Sequence, residues 1–578
     1  MRNTIFFLPF IFFPTALVAN DIVLEQIRQI ERRVDEYGLP GGPNGTAKGY
    51  HTNLERGVRV YGTRAAAEYA AWLLASPNED HHAQGNAVLA RLIDLQDRDP
   101  QSRTFGIWAW YANEPLHEMA QPDFNWADFI GATLAIILRD YSDRLSEDVR
   151  EKTKQSLEFA CQAIIKRNVG PGYTNIAIMG ATVTAAAGEI LDRPDFLEYG
   201  RNRAKRNLDY FNDVGGFNEY NSPTYTTVVV HELERMLYLV ADPECRAAAE
   251  ELLNAAMKEI AVHYHVPTGQ WAGPHSRTYG DLMSDSRRSG LLARAGLLSG
   301  DATVVRDTFF VPLVPWSESI STLFSEIPKE PMERHDVFAK GRPGFEENGT
   351  TWMDSVATLG TASYHTFWEQ ARGLIGYWTV PDAPPAVLRM RFFHDEQDFA
   401  SAWARHRQVG PRALSTVGLL RNWGSMHPSF DRPRDGVFTA RSFRIVYQLA
   451  TRGATVRQLG DNRFELAAGP VRAVIHIMEN ASFDGQPIVW RTEQVDGRAS
   501  VIGICYEGEP KAFAIPQMGD IHIAAAVELL QGNEQPSAAP IRTVDSDFST
   551  NDGSFYGVVW AGLGDEVPLL APNRPTNR

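Results

Sequence analysis

Three cysteines in 578 residues are too few for a disulfide framework. Cys161 and Cys245 leave one bridge open; the other reading of these two and of Cys505 is as small, buried, unpaired side chains. No Cys/His group has the spacing of a structural zinc site. Positive charge is scarce: 56 Lys and Arg face 71 Asp and Glu, a formal charge of −15 at pH 7. That balance argues against nucleic acid and against a broadly basic, polyanion-binding face, and leaves room for a local basic pocket. Beyond the N-terminus no apolar run is long enough to span a bilayer. Strand–helix alternation is missing too, which argues against a parallel sheet.

What is present begins with an export signal. Arg2 gives a positive start, residues 5–13 an apolar run, and Leu17-Val18-Ala19 a cleavage site. The run is short for an anchor, and Pro9 and Pro14 interrupt it. The expectation is a secreted or periplasmic protein with no membrane span. Length allows two or three domains.

From residue 61 to 265 the apolar pattern is helical and paired. The expected helices are 63–75 with 79–96, 124–141 with 146–167, 176–191 with 195–211, and 223–240 with 243–263. In the later pairs the first helix is apolar nearly all round, as at 176–183, and the second is amphipathic, as at 147–166. Helices of the first kind are buried and those of the second face solvent. Buried and exposed helices alternating at this spacing imply an inner ring within an outer ring, an (α/α) toroid or open solenoid. After about residue 330 the period becomes two. Phe443, Ile445, Tyr447 and Leu449 alternate with more polar neighbours, as do Val471, Ala473, Ile475 and Ile477. The fold class read from this is α+β and multidomain. Residues 1–19 are a signal peptide and 20–328 an incomplete helical toroid. Residues 329–349, rich in charge, Gly and Pro, are a linker, and 350–578 an antiparallel β-sandwich.

The densest chemistry lies at 215–226, Gly-Gly-Phe-Asn-Glu-Tyr-Asn-Ser-Pro-Thr-Tyr-Thr. Ser222-Pro223 reads as a helix start, with the hydroxyl capping free N–H groups. Glu219, Tyr220 and Asn221 then sit on the loop and Tyr225 in the first helical turn. Two more loops are expected at inner-helix ends. One runs from Pro171 to Asn175; the other, 270–281, holds Trp271, His275, Arg277, Tyr279 and Asp281. Trp108, Trp110, Asp123, Trp126 and Asp128 precede another inner helix. An amide (Asn175), a phenol (Tyr225), imidazoles (His231, His275) and a guanidinium (Arg277) suit β-elimination from a uronic acid. Donors neutralise the carboxylate and steady the enolate-like intermediate. A Tyr or His takes the C5 proton, and a Tyr returns one to the leaving oxygen. Catalysis is assigned to Asn175, Tyr225, His231, His275 and Arg277. Trp108, Trp110, Glu219, Tyr220, Asn221, Trp271 and Tyr279 are assigned to the sugar subsites. No cofactor is required.

Helical pairs, an Asn opening an inner helix, Asn-x-x-x-Tyr 46 residues later and a β-sandwich resemble the α/α-toroid polysaccharide lyases. The heparinase II/III-like and related alginate lyase families share this plan. Residues 358–378, with Phe367-Trp-Glu-Gln370 and Tyr377-Trp378, resemble the start of the sandwich in such proteins. The resemblance implies that Asn175 neutralises the carboxylate and that Tyr225 is catalytic. It departs at Ile176, where those families often place a His. It also implies a His from the sandwich, with His365, His394 and His476 as candidates, and in some members a structural zinc or calcium, for which no ligand set stands out.

The leading reading is a lyase on a uronate-containing polysaccharide or oligosaccharide. A glycoside hydrolase using Glu219 with Asp128 or Asp281 is the second. A non-catalytic glycan-binding protein is the third. The polymer, endo or exo action and oligomeric state are not encoded in any motif.

Overall fold

Thr174–Ile190 shows why the N-terminal half is helical. Its Ala, Gly and Thr side chains are small enough to be buried on nearly every side. Thr182 and Thr184 return their hydroxyls to the carbonyls of Ile178 and Gly180, so burial leaves neither unsatisfied. Glu147–Arg167 follows the opposite logic. Ser146 caps it by accepting from Val149 N, acids occupy the first turn and bases the last, and Asn168 ends it with φ 46°.

The computed structural model describes residues 16–297, 311–340, 347–545, 549–550, 553–564 and 567–577. Among them are eleven α-helices: α1 (Ala16–Glu31), α2 (Thr63–Ala75), α3 (Glu79–Asp94), α4 (Trp126–Asp140), α5 (Glu147–Arg167), α6 (Thr174–Ile190), α7 (Pro194–Val214), α8 (Tyr225–Leu239), α9 (Pro243–His263), α10 (Asp285–Arg294) and α11 (Glu318–Ser325). The four expected pairs correspond to α2–α9, and α1, α10 and α11 lie outside them. Residues 1–15, most of the expected export signal, lie outside the described residues. No described helix is long and apolar enough to cross a membrane.

The chain divides into two units. The helical unit holds the described residues up to Asp213, Val228–Met257 and those within Ser289–Ser317. In it α2, α4 and α6 pack side by side, α3 lies on α2, and α5 lies on α3, α4 and α6. Gly200 lets α7 approach α6 closely, since a Cβ there would meet Ala185 backbone at 2.6 Å. Cys161 and Cys245 are free and buried in this unit, as is Cys505 in the other.

The second unit takes Val214–Thr227 and Lys258–Arg288 along with Glu318–Arg578. This corrects the expected boundaries: both polar loops, 215–226 and 270–281, belong with the sheets. The residues read as a linker are corrected as well. Met332–Ala339 is a strand paired antiparallel with Glu347–Met353; residues 341–346 lie outside the described set. Two large antiparallel sheets follow. One runs, in spatial order, Val489–Val495, Arg498–Ala514, Val437–Ala450, Ala386–His394, Leu374–Trp378, Ala357–Ala362, Glu347–Met353, Met332–Ala339, with Gln397–Asp398 on Ala386–His394. The other runs Thr455–Gly460, Arg463–Ala468, Val471–Ile477, Ile523–Gln531, Arg412–Leu419, Ala402–Val409, Tyr364–Thr366. The alternating residues at 443–449 and 471–477 meet in one apolar core with Leu359, Trp378, Val417 and Val527.

The sheets also explain why 270–281 belongs here. His275 N bonds Arg372 O at 3.1 Å, Arg372 N returns a bond to His275 O at 2.9 Å, and Thr278 N reaches Gln370 O at 2.7 Å. Thr351 Oγ1 donates to Gly273 O at 2.7 Å. Gly360 lies against this crossing; a Cβ on it would stand 1.9 Å from Gly273 O. Gly360→Ala must push the loop off the sheet, and overpacking of this kind costs about 1–3 kcal/mol or more. The expected result is a lower thermal midpoint, read by calorimetry, with Gly460→Ala as the mild control because no atom lies within 4 Å of its Cβ position and its φ is not left-handed.

Candidate active site

Asn221 organises the site from beneath. It is a non-glycine residue held at φ 46°. Its Nδ2 donates to Ala272 O and Pro274 O, both at 2.8 Å, and its Oδ1 accepts from the Trp271 indole. Its carbonyl accepts from His275 Nδ1 at 2.8 Å, and its N–H donates to Glu259 Oε1 at 3.0 Å. One fully buried amide thus ties loop 215–226 to loop 270–281. Ser222 then acts as the cap the sequence predicts: its Oγ accepts from Tyr225 N at 2.9 Å and donates to Arg277 O. The helix itself begins at Tyr225, two residues after Pro223.

Above that base sits a polar cluster. The Arg277 guanidinium donates Nη2 to the Tyr225 hydroxyl at 2.9 Å, Nη1 to Glu219, and Nε to Gln370 Oε1 at 3.1 Å. Its Cζ lies 3.9 Å from the Tyr225 ring centroid and 5.1 Å from that of Trp368. Side-chain exposure is 16% for Arg277 and 5% for Glu219, so the pair is largely desolvated and held in one geometry. The Tyr225 hydroxyl also lies 2.8 Å from that of Tyr279, which is 65% exposed.

Several assigned residues have other roles. Trp108, Trp271, Tyr220 and Asn221 are corrected as sugar contacts, because all four are buried and bonded internally. The Trp108 indole donates to Leu92 O at 2.9 Å. Tyr220 meets His263 Nε2 at 2.8 Å and Asp336 Oδ2 at 3.1 Å, and stacks on Phe338. His275 is corrected too. It is buried, its Nδ1 is spent on a carbonyl, and burial pushes its imidazole down to about 3, so it is neutral and cannot pair with a carboxylate. Glu219 serves Arg277 rather than a sugar. Asp281 accepts from Arg372 Nε at 2.6 Å and Arg389 Nη1 at 2.8 Å. Burial raises its carboxyl, but Arg389 and Arg372 outweigh burial and hold it below the usual range.

The sheet histidines are also engaged. His365 and His406 stack, with their Nε2 atoms 3.1 Å apart, and burial depresses both. His394 bonds Ser425 Oγ and Thr439 O, and His476 faces Glu528 at 3.4 Å. Among the described residues no group of three or more His, Cys, Asp or Glu is placed to hold a metal.

The helical unit carries the remaining candidates. Asn175 is fully buried at the start of α6, and His231 is half-buried on α8. Trp110 stacks on Trp126 with centroids 5.1 Å apart. Their indoles donate to Asp123 Oδ2 and Thr63 Oγ1, and they line a cavity of about 430 Å³ with Arg64 and Tyr111. Asp128 is buried, and burial raises its carboxyl to about 7.

Sequence reasoning missed Gln370, Trp368 and Glu259. The first two lie inside the segment already singled out at 358–378, where their polarity and aromaticity were the available signal. Glu259 sits on α9, where nothing local marks it. Burial raises its carboxyl to about 8, against hydrogen bonds from Asn221 N and Thr226 Oγ1 that favour the ionised form. A carboxyl raised on folding keeps a proton that the unfolded chain releases. Its stabilising share is therefore full below about pH 4.5 and falls as pH rises towards about 8. Glu259→Gln is expected to flatten the decline of the thermal midpoint of the sheet-rich unit between these limits.

A family profile described as a domain of unknown function (DUF8769) matches residues 45–295. No curated protein matches the chain by sequence. Among solved structures, heparinase III is similar at 9% identity and a TM-score of 0.42, over 99% of this chain and 93% of that one. The heparan sulfate lyase of Pedobacter heparinus is similar at 11% and 0.35, over 89% and 83%. The chondroitin AC lyase of Streptomyces coelicolor is similar at 10% and 0.37, over 89% and 97%.

Proposed function

We propose that this chain is an exported polysaccharide lyase that cleaves a uronate-containing glycan by β-elimination at Tyr225. One observation carries the reading: a desolvated guanidinium, fixed by Glu219 and Gln370, donates to the phenol oxygen at 2.9 Å. A fixed cationic donor on that oxygen stabilises the phenolate that must form if the phenol is to remove a C5 proton. The same guanidinium brings positive charge to the uronate carboxylate and to the enolate-like intermediate. These steps need no cofactor.

The state of the carboxylates favours elimination over hydrolysis. A hydrolase needs one carboxyl that keeps its proton beside another that does not. Glu219 is ion-paired to Arg277, and Asp281 is held ionised between two arginines. Asp128, whose carboxyl burial raises to about 7, keeps its proton but lies in the helical unit at 2% exposure, closed off from a glycosidic oxygen. Tyr279 and Trp368 are the aromatic surfaces beside Tyr225 for sugar rings, and Trp110 with Trp126 offers another in the helical unit. Asn175 and His231, both in the helical unit, stay sequence-based candidates for carboxylate binding and proton transfer, and no step assigned to Tyr225 and Arg277 runs through them. The full burial of Asn175 weighs against direct contact, so the reading does not depend on it. The toroid and β-sandwich readings of the two units, and export by residues 1–19, belong to the same proposal.

The test is incubation of the purified protein with a panel of uronate glycans, following the ultraviolet absorbance of new C4–C5 double bonds. A rise is the expected result. New reducing ends without a rise would overturn elimination in favour of hydrolysis. Binding with neither signal would leave the glycan-binding reading.

A further inference from the structure

We infer that Tyr225 and Tyr279 form a self-resetting base–acid pair, Tyr225 taking the C5 proton and Tyr279 protonating the leaving O4. The inference rests on the elimination reading and adds a second catalytic residue to it.

The argument starts from an asymmetry between two phenols 2.8 Å apart. Arg277 has no acceptor, so its contact with Tyr225 can only place an N–H on that oxygen. Tyr279 has no such donor: among the described residues its hydroxyl meets that of Tyr225 alone. Of the pair, Tyr225 is the one suited to carry negative charge, and Tyr279 keeps its proton and donates it to the Tyr225 oxygen. Exposure runs the same way. Tyr225 is half-buried beneath the guanidinium, and Tyr279 stands 65% exposed, able to reach the outgoing oxygen. Its position is nevertheless fixed from both sides in the chain. Thr278 N is bonded to Gln370 O, and Asp281 is clamped by Arg372 and Arg389. Among the described residues beside the pair, Glu219 and Asp281 are ion-paired, and His275 is buried with its Nδ1 proton committed to a carbonyl, which leaves the acid role to Tyr279.

The step balances without any outside reagent. The Tyr225 phenolate takes the C5 proton, the C5–H electrons become the C4–C5 double bond, and the C4–O4 bond breaks with its pair on O4. Tyr279 gives its proton to O4, which leaves as a hydroxyl. Tyr225 is now a phenol and Tyr279 a phenolate; one proton transfer across their hydrogen bond restores both.

The test uses Tyr279→Phe in the full chain, on the cleaved glycan and on a uronate carrying a nitrophenyl ether at O4, whose leaving group needs no proton. The expected loss is on the order of a hundredfold on the glycan and under about tenfold on the ether. Equal losses on both substrates would overturn the acid role, since a binding or positioning defect does not distinguish leaving groups. Retained activity on both would overturn it as well. Thermal unfolding of the variant checks that the exposed ring is dispensable for the fold. A parent protein inactive on every glycan would sink the elimination reading itself, and the pair with it; an active parent with an indifferent variant would sink the pair alone.

Discussion

Tyr225→Phe is expected to fold like the parent and to lose elimination by about a hundredfold to ten-thousandfold, the range general acid–base groups contribute. Folding should survive because the substitution removes only the hydroxyl. The Phe ring still offers its face to Arg277, which lies 3.9 Å from the Tyr225 centroid. The lost hydrogen bonds, from Tyr279 and from Arg277, sit at a half-exposed position, where each contributes about 1 kcal/mol. Chemistry should not survive, since Arg277 then aims its donor at carbon and the base is gone. Product formation followed by ultraviolet absorbance, beside a calorimetric midpoint, separates the two effects. A variant within tenfold of the parent at an unchanged midpoint would remove Tyr225 from the chemistry.

How far this site was legible depends on the range of the contacts involved. Helix positions follow from local periodicity: 63–75 and 243–263 were readable from pattern alone, and α2 and α9 occupy those residues. The cap at Ser222 is equally local. Tyr225 and Arg277 are expected together from the sequence, because polar and aromatic groups crowded into two short loops have no simple packing explanation; Glu219 is expected against a sugar and instead holds Arg277. Gln370 and Trp368 reach Arg277 from 93 and 91 residues further along the chain, and nothing in either stretch announces the partnership. Burial was the harder error. Trp271, Asn221 and His275 lie in Gly- and Pro-bounded loops that look solvent-facing. They turn out to be buried because they satisfy one another, through an indole–amide bond and an imidazole–carbonyl bond. A buried polar residue is recognised by its partners, and these partners lie about fifty residues apart in sequence, in loops of open composition. The unit boundary failed for the same reason, since the close approach of Gly360 to Gly273 O has no local signature.

Arg277 carries the second large prediction, and two substitutions there should part company. Arg277→Ala strips Glu219 of its cation at 5% exposure, and removing one partner of a buried pair costs about 3–5 kcal/mol. That variant is expected to show a sharply lower thermal midpoint along with lost activity. Arg277→Lys keeps the charge. A single ammonium cannot serve Gln370, Glu219 and the Tyr225 oxygen from three directions as the planar fork does. If the ammonium settles on Glu219, the stability loss is smaller while the phenolate loses its fixed donor. Arg277→Lys should therefore unfold above Arg277→Ala and still lose most of its turnover, with more activity regained on raising the pH than in the parent. That pH response is the deciding measurement, because a purely structural arginine gives no reason for it. Adding Glu219→Gln completes a double-mutant cycle. A coupling of about 0.5–3 kcal/mol in stability is expected for residues in one network, and additivity would mean that Glu219 does not hold the guanidinium in place.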